Sequence, residues 1–291
     1  MAPAPPTPRP DWLLLDGSSL IFRAFFGVPR TVVGPAGQPV NAVRGFLDYI
    51  SRFIGEMRPR HLLVASDDDW RPQFRVEALP TYKSHRTAEP IPPELEPQMP
   101  MINEVLEVVG IARVGVPGYE AEDVIASMLA HAAGRVDIVS GDRDLFALVQ
   151  DPDIRVLYPK SGGLLEVIDE AEIEKRYGVP GRSYGDFAIL RGDPSDGLPG
   201  LPGVGAKKAA DLVRRHGDLD GLMRAGRLTE ADRDYLLRAI KVVLPVRDIP
   251  LDPPDCSVPT HPSDPARLEA LKRELGLGGA VDRLLRVLAM G

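Results

Sequence analysis

Residues 101–149, MINEVLEVVGIARVGVPGYEAEDVIASMLAHAAGRVDIVSGDRDLFALV, alternate between two periodicities. Met101–Val109 carries apolar residues at helical spacing, and Ile111–Val116 is a short apolar run. Ala121–Ala133 is again helical, Val136–Ser140 is a second run, and Asp144–Val149 a further helical stretch. Alternation of this kind predicts an α/β fold, with a mostly parallel central sheet and helices on both faces. Two of the joins are acidic: Glu120, Glu122 and Asp123 open one helix, and Asp142 and Asp144 follow one strand. Ligands of open α/β sheets gather outside the carboxyl ends of the strands. Chemistry is therefore expected at these joins.

Toward the N-terminus the same grammar holds. Trp12–Leu15 reads as a strand ending at Asp16, with a helix through Ile21–Phe26. Val43, Phe46, Leu47, Ile50 and Ile54 mark a helix over Val40–Met57, after the turn-like Gly37-Gln38-Pro39. His61–Ala65 is another strand, followed by Asp67. Trp70–Pro100 breaks the pattern, and an excursion of about 30 residues from a compact core is usually functional. After Pro180 strand signals fade, and Leu201–Arg215, Glu230–Val243 and Arg267–Leu288 read as helices. The chain divides accordingly into a proline-rich, disordered leader (1–10), an α/β core (11–180) with an insertion near 70–100, and a helical region (181–291).

Composition narrows the class. The 291 residues are 44% hydrophobic and 26% charged, enough to bury a sizeable core, and no apolar run is long enough to span a membrane. The first residues lack the apolar segment of a signal peptide, and the single cysteine, Cys256, suits a reducing cytoplasm. The formal charge of −7 argues against a nucleic-acid partner only until its distribution is read. Arg71–Arg86 and Pro202–Gly217 each carry a local charge of +3, as phosphate contacts at defined places would require. A solvated charged face has the same composition.

Asp193 and Asp196 add a further acidic turn, giving nine carboxylates near predicted strand ends and turns. If they converge they cannot all stay ionised without counter-charge, and hard oxygen donors suit magnesium or manganese. Taken singly, acids in a first helical turn are ordinary caps, and Asp193-Pro-Ser-Asp196 is an ordinary turn. Together they fit a pair of divalent ions about 4 Å apart acting on a phosphodiester. The five histidines lack zinc spacing, Gly203-x-Gly205 is no P-loop, and neither Ser18 nor Ser19 sits in a nucleophile elbow.

DGSSLIFRAFF, the Asp67 strand followed by FR and YKSHR, YEAEDVIA, SGDRDLFALV and RGDPSDGLPGLPGVGAKKAADLV occur in an order that resembles the flap endonuclease and 5′-3′ exonuclease family. The likeness extends to the 5′-nuclease domain of bacterial DNA polymerase I and to free-standing actinobacterial-type flap endonucleases, from about Asp11 to about Arg247. It implies a PIN-like core with a helical arch near 70–100 and a helix–hairpin–helix near 198–216. By resemblance, Asp16, Asp67, Glu120, Glu122 and Asp123 match a first metal cluster, and Asp142, Asp144, Asp193 and Asp196 a second. Lys83 and Arg86 match the basic pair that engages the scissile phosphate, and Tyr82 a residue placed to stack on a base. Arg44, Arg75, Gly203, Gly205, Lys207 and Lys208 are the expected nucleic-acid contacts. The implied cofactors are two Mg2+ or Mn2+ ions, with room for K+ at the hairpin. The implied substrate is DNA with a 5′ flap or 5′ end, an RNA–DNA hybrid being the variant, cut by a monomer during primer removal and repair.

Two positions depart from the family pattern. Glu122 stands where aspartate is usual, one methylene longer, and Gly197 where many relatives have asparagine. The first leaves open a flap-binding protein with weak catalysis. A phosphatase using Asp16 as nucleophile is a poorer alternative, because Asp16-Gly17-Ser18 has no second acid.

Overall fold

The computed structural model describes residues 9–88 and 91–290. Of the leader, only Arg9 and Pro10 fall among them. Six strands form one sheet: β1 (Trp12–Asp16), β2 (His61–Ala65), β3 (Ala112–Val114), β4 (Val136–Val139), β5 (Ile154–Pro159) and β6 (Leu165–Ile168). Their order is β3-β2-β1-β4-β5-β6, parallel through β5, with β6 antiparallel at the edge. β1 is central, and Leu14 pairs with Leu63 on one side and Ile138 on the other.

The helices are α1 (Gly17–Gly27), α2 (Asn41–Met57), α3 (Gln73–Ala78), α4 (His85–Ala88), α5 (Gln98–Val109), α6 (Ala121–Met128) and α7 (Glu170–Tyr177). They continue as α8 (Tyr184–Arg191), α9 (Ala206–His216), α10 (Leu219–Arg224), α11 (Glu230–Val243), α12 (Pro265–Leu275) and α13 (Gly278–Leu288). Caps set several boundaries. Thr229 and Asp232 exchange backbone and side-chain hydrogen bonds of 3.1 Å at the start of α11. The stretch expected as one helix over Arg267–Leu288 is two, because Gly276 adopts φ +66° and ends α12.

Alternate strand residues face opposite cores. Leu13, Leu15, Leu62 and Val64 join α1, α2 and α5 on one face, while Leu14, Leu63 and Ile138 join α6, α8, α9 and α11 on the other. Among the described residues the regular elements over 181–290 are all helical, as expected, but they divide between the two faces. α8–α11 cover the second face, but α12 and α13 cross back to pack on α5 and α2 of the first. Leu268, Leu271, Leu275, Leu284 and Leu288 are buried there, so apolar stripes rather than chain position decide the partner. β5 and β6 have no counterpart in the sequence reading, and Asp144–Leu148 is a 3-10 turn rather than an α-helix. Among the described residues no helix is long and apolar enough to cross a membrane.

Candidate active site

The chain leaves β1 toward β2 and later returns beside β1 as β4, so the carboxyl ends of β1 and β4 flank a crevice. Asp16 closes β1, Asp67 lies two residues past β2, and Asp142 and Asp144 follow β4. Glu120 and Glu122 stand at the start of α6, and Asp193 and Asp196 on the turn after α8. Eight of the nine expected acids line one cavity of about 880 Å³, together with Lys83, Arg86, His85, Trp70 and Phe22. Asp123 is the ninth and lies outside it.

The crevice is pinned by short local bonds. Ser19 N and Ser140 Oγ donate to the two oxygens of Asp16, at 2.9 and 2.5 Å. Burial, with Asp67 nearby, pushes the Asp16 carboxyl up to about 7. Ala121 N donates to Asp67 at 2.7 Å, fixing the start of α6 against the end of β2. Burial and the neighbouring Glu120 raise Asp67 as well. Glu120 accepts from Lys83 Nζ at 2.7 Å, Tyr82 Oη at 2.5 Å, Arg75 Nη1 at 2.7 Å and Arg86 Nη1 at 3.4 Å. Lys83 is buried and holds φ +43°, a left-handed conformation that a lysine adopts only where surrounding structure imposes it.

Deeper in the crevice, ligand oxygens of Glu122, Asp142 and Asp144 all lie within 4.8 Å of one another. Glu122 Oε1 is buried and makes no hydrogen bond, and Arg75 Nη2 at 2.7 Å is an ion-pair contact without hydrogen-bond geometry. Burial raises the carboxyls of Glu122 and Asp144 well above the ordinary range, with Asp142 adding repulsion at both. Crowded carboxylates with an unsatisfied buried oxygen fit a hard divalent cation, which would supply the missing counter-charge. Asp193 is held differently, by Arg143 Nη2 at 2.9 Å and Ser195 N at 3.0 Å.

Three expectations are corrected by burial. Asp123 was expected to ligate metal, but it is fully enclosed and its four acceptor positions are filled. Arg75 donates at 2.7 and 2.9 Å, Val246 N at 2.8 Å and Glu120 N at 3.1 Å. Arg75, expected on nucleic acid, has no exposed surface and is Asp123's partner. Tyr82, expected to stack on a base, is buried with its hydroxyl on Glu120. Arg86 lies over the Trp70 ring at 5.3 Å, and Trp70 stacks on Phe22 at 6.0 Å. These rings, with Phe26 and Tyr158 but not Tyr82, form the aromatic lining of the cavity. The sequence reading passed over Trp70 as part of an irregular segment, though DDDWRP sets an aromatic directly behind the acids.

The remaining expected contacts lie away from the crevice. Arg44 is exposed on α2, beside a smaller cavity shared with Arg283. Gly203 (φ +69°) and Gly205 form an exposed turn leading into α9, which starts Ala206-Lys207-Lys208. A Cβ at either glycine would meet nothing, so the backbone there is open to approach.

The N-terminal, resolvase-like domain of the 5′-3′ exonucleases matches residues 11–178, and their C-terminal SAM fold matches residues 179–248. A 5′-3′ exonuclease of Streptomyces coelicolor is 51% identical over 299 residues, covering 95% of this chain and 99% of that protein. DNA polymerase I of Mycobacterium bovis is 37% identical over 99% of this chain, a match spanning 33% of the polymerase. In fold, the chain is similar to a bacteriophage T5 flap endonuclease solved with DNA and metal ions (TM-score 0.63, 17% identity, 96% of this chain and 98% of that one). It is also similar to flap endonuclease-1 of Methanococcus jannaschii (TM-score 0.61, 16% identity, 97% and 94%). With both of its domains matched in order and a near full-length relative at half identity, the chain belongs to the 5′-3′ exonuclease family.

Proposed function

We propose that the chain hydrolyses phosphodiesters at 5′ flaps and 5′ ends of DNA, using a pair of Mg2+ or Mn2+ ions. The observation that carries this reading is the single cavity in which eight carboxylates face Lys83 and Arg86. Asp16, Asp67, Glu120 and Glu122 would hold one ion and Asp142, Asp144, Asp193 and Asp196 the other, with Glu122 at the boundary, within 4.8 Å of Asp142 and Asp144. When bound, divalent ions supply an activated water and charge stabilisation for phosphodiester hydrolysis.

The protein's own groups do the rest. Lys83 and Arg86, now resting on Glu120, are close enough to the acids to move onto a phosphate drawn into the crevice, where they would stabilise charge on its non-bridging oxygens. Trp70 and Phe22 offer ring faces to a base beside that phosphate. Gly203 and Gly205 let backbone amides approach duplex phosphate, Lys207 and Lys208 add charge, and carbonyls of the turn would accept K+. Arg44, exposed on α2, supports duplex phosphate near the bend in the substrate. A monomer acting in the cytoplasm, with RNA–DNA hybrid as an additional substrate during primer removal and repair, completes the proposal.

The test is cleavage of a 5′-labelled flap substrate in Mg2+ or Mn2+, beside an Asp142→Ala/Asp144→Ala variant. Cutting at the flap junction, abolished in the variant, is the expected result. Binding without cutting in either metal would overturn the nuclease reading and direct attention to the longer side chain of Glu122.

A further inference from the structure

Among the described residues, Arg75 is the one cation that touches every acid at the head of α6. Its guanidinium lies 2.7 Å from each of Glu120, Glu122 and Asp123. Four of its five N–H groups make hydrogen bonds, Nε to Val242 O at 3.1 Å, Nη1 to Glu120 and Asp123, and Nη2 to Asp123, while Nη2 also faces Glu122 as an ion pair. The planar fork is thus locked on Asp123, and the Asp123 carboxylate is locked in turn on Val246 N just past α11. Three separate pieces of chain meet on one side chain that has no exposed surface: α3, the head of α6 and the end of α11.

We propose that Arg75 is a positioning residue for the metal centre, setting where Glu122 presents its oxygen through a frame of Asp123, Val242 and Val246. The proposal rests on the metal-centre reading above. Glu122 Oε1 has no hydrogen bond to hold it, so the guanidinium at 2.7 Å is what fixes it toward Asp142 and Asp144. A lysine would keep the charge but lose the fork, and could not hold Asp123 and Glu122 together. The frame also carries the placement of α11, which packs on α8 of the helical region, to the carboxylates.

The experiment uses the full chain and Mn2+ alone, by titration calorimetry, comparing wild type with Arg75→Lys. The control is Arg155→Lys, which disturbs a largely buried pair remote from the crevice: Arg155 donates to Asp137 at 2.6 and 2.9 Å, near the amino ends of β5 and β4. Partners that orient metal ligands typically cost about 10–100-fold in metal affinity when changed. Arg75→Lys should weaken Mn2+ binding about tenfold or more. In cleavage assays it should raise the metal concentration needed for half-maximal rate, with KM for flap DNA at saturating metal unchanged within about twofold. Arg155→Lys should lower the melting temperature and leave Mn2+ affinity alone. If Arg75→Lys lowers only the melting temperature, as the control does, the positioning role is overturned. A wild-type chain that binds Mn2+ but cuts nothing would refute the nuclease reading and leave this one standing. Should wild type bind no Mn2+, both fall.

Discussion

At the scale of single residues, Lys83 and Gly197 carry the sharpest expectations. Lys83 is buried in a left-handed conformation, with its amine on Glu120 and its backbone N–H donating to Asp196 O at 3.1 Å. Lys83→Ala should lower the single-turnover cleavage rate at saturating Mg2+ by about 100-fold, the usual cost of one donor to developing phosphoryl charge, with duplex affinity nearly unchanged. Gly197 has φ +72°, and a Cβ there would collide with the carbonyl oxygen of Thr81, whose own hydroxyl donates to Gly197 O at 2.7 Å. Gly197→Ala must therefore displace the segment carrying Lys83, and because small misplacements at a reacting centre are costly, cleavage should fall about tenfold or more. A retained rate would show that this segment relaxes freely. Most of the acids were legible in the sequence because they follow a strand or open a helix, and position along the chain implies position in space; Asp193 and Asp196, on the turn after α8, were legible only through the resemblance. Tyr82, Arg75 and Asp123 were not, because whether a polar side chain faces solvent or a buried partner depends on elements more than 30 residues away. Arg75 and Asp123 were each assigned an external partner, when each is the other's.

At the scale of elements, the burial of Asp186 on α8, near the start of α10, sets a pH dependence. Burial, with Asp218 and Asp220 nearby, pushes Asp186 on α8 up to about 6, while Leu219 N–H donates to it. The unfolded chain releases this proton near 3.8, so between about pH 4 and 6 the folded state holds more protons and stability falls as pH rises. The group is partly exposed, so the loss is reduced by solvent screening to about 1–2 kcal/mol. Asp186→Asn keeps an acceptor for Leu219 and removes the charge. It should melt at a higher temperature than wild type at pH 7.5, and the gap should shrink toward pH 4. A gap of constant size would exclude this origin. The long amphipathic helices were readable from spacing alone, α11 to the residue. β5 and β6 were missed because IRVLYP ends in proline and LEVI is a short, half-exposed edge, so neither shows a clean burial period. The division between α12 and α13 hung on Gly276, whose left-handed turn is invisible to a count of apolar positions.

At the scale of the whole molecule, charge is partitioned. The net −7 is concentrated partly in the crevice, while Lys207 and Lys208 stand exposed at the hairpin. Duplex binding measured by anisotropy in an Asp142→Ala/Asp144→Ala background should weaken with salt. Adding Lys207→Ala/Lys208→Ala should flatten the log–log slope by about 2, close to 0.9 for each phosphate no longer neutralised. An unchanged slope would remove the hairpin from the duplex interface. The return of α12 and α13 to the far side of the sheet bears on how the protein is made. Phe46, Leu47, Ile50 and Ile54 of α2 emerge from the ribosome more than 200 residues before Leu268, Leu271, Leu284 and Leu288, members of the same apolar cluster. Contacts so distant along the chain form late, and apolar surface left waiting is a site for aggregation. Synthesis that stalls before Pro265 would release a nuclease with its catalytic crevice already encoded and one flank uncovered, a product for chaperones and proteases rather than for DNA.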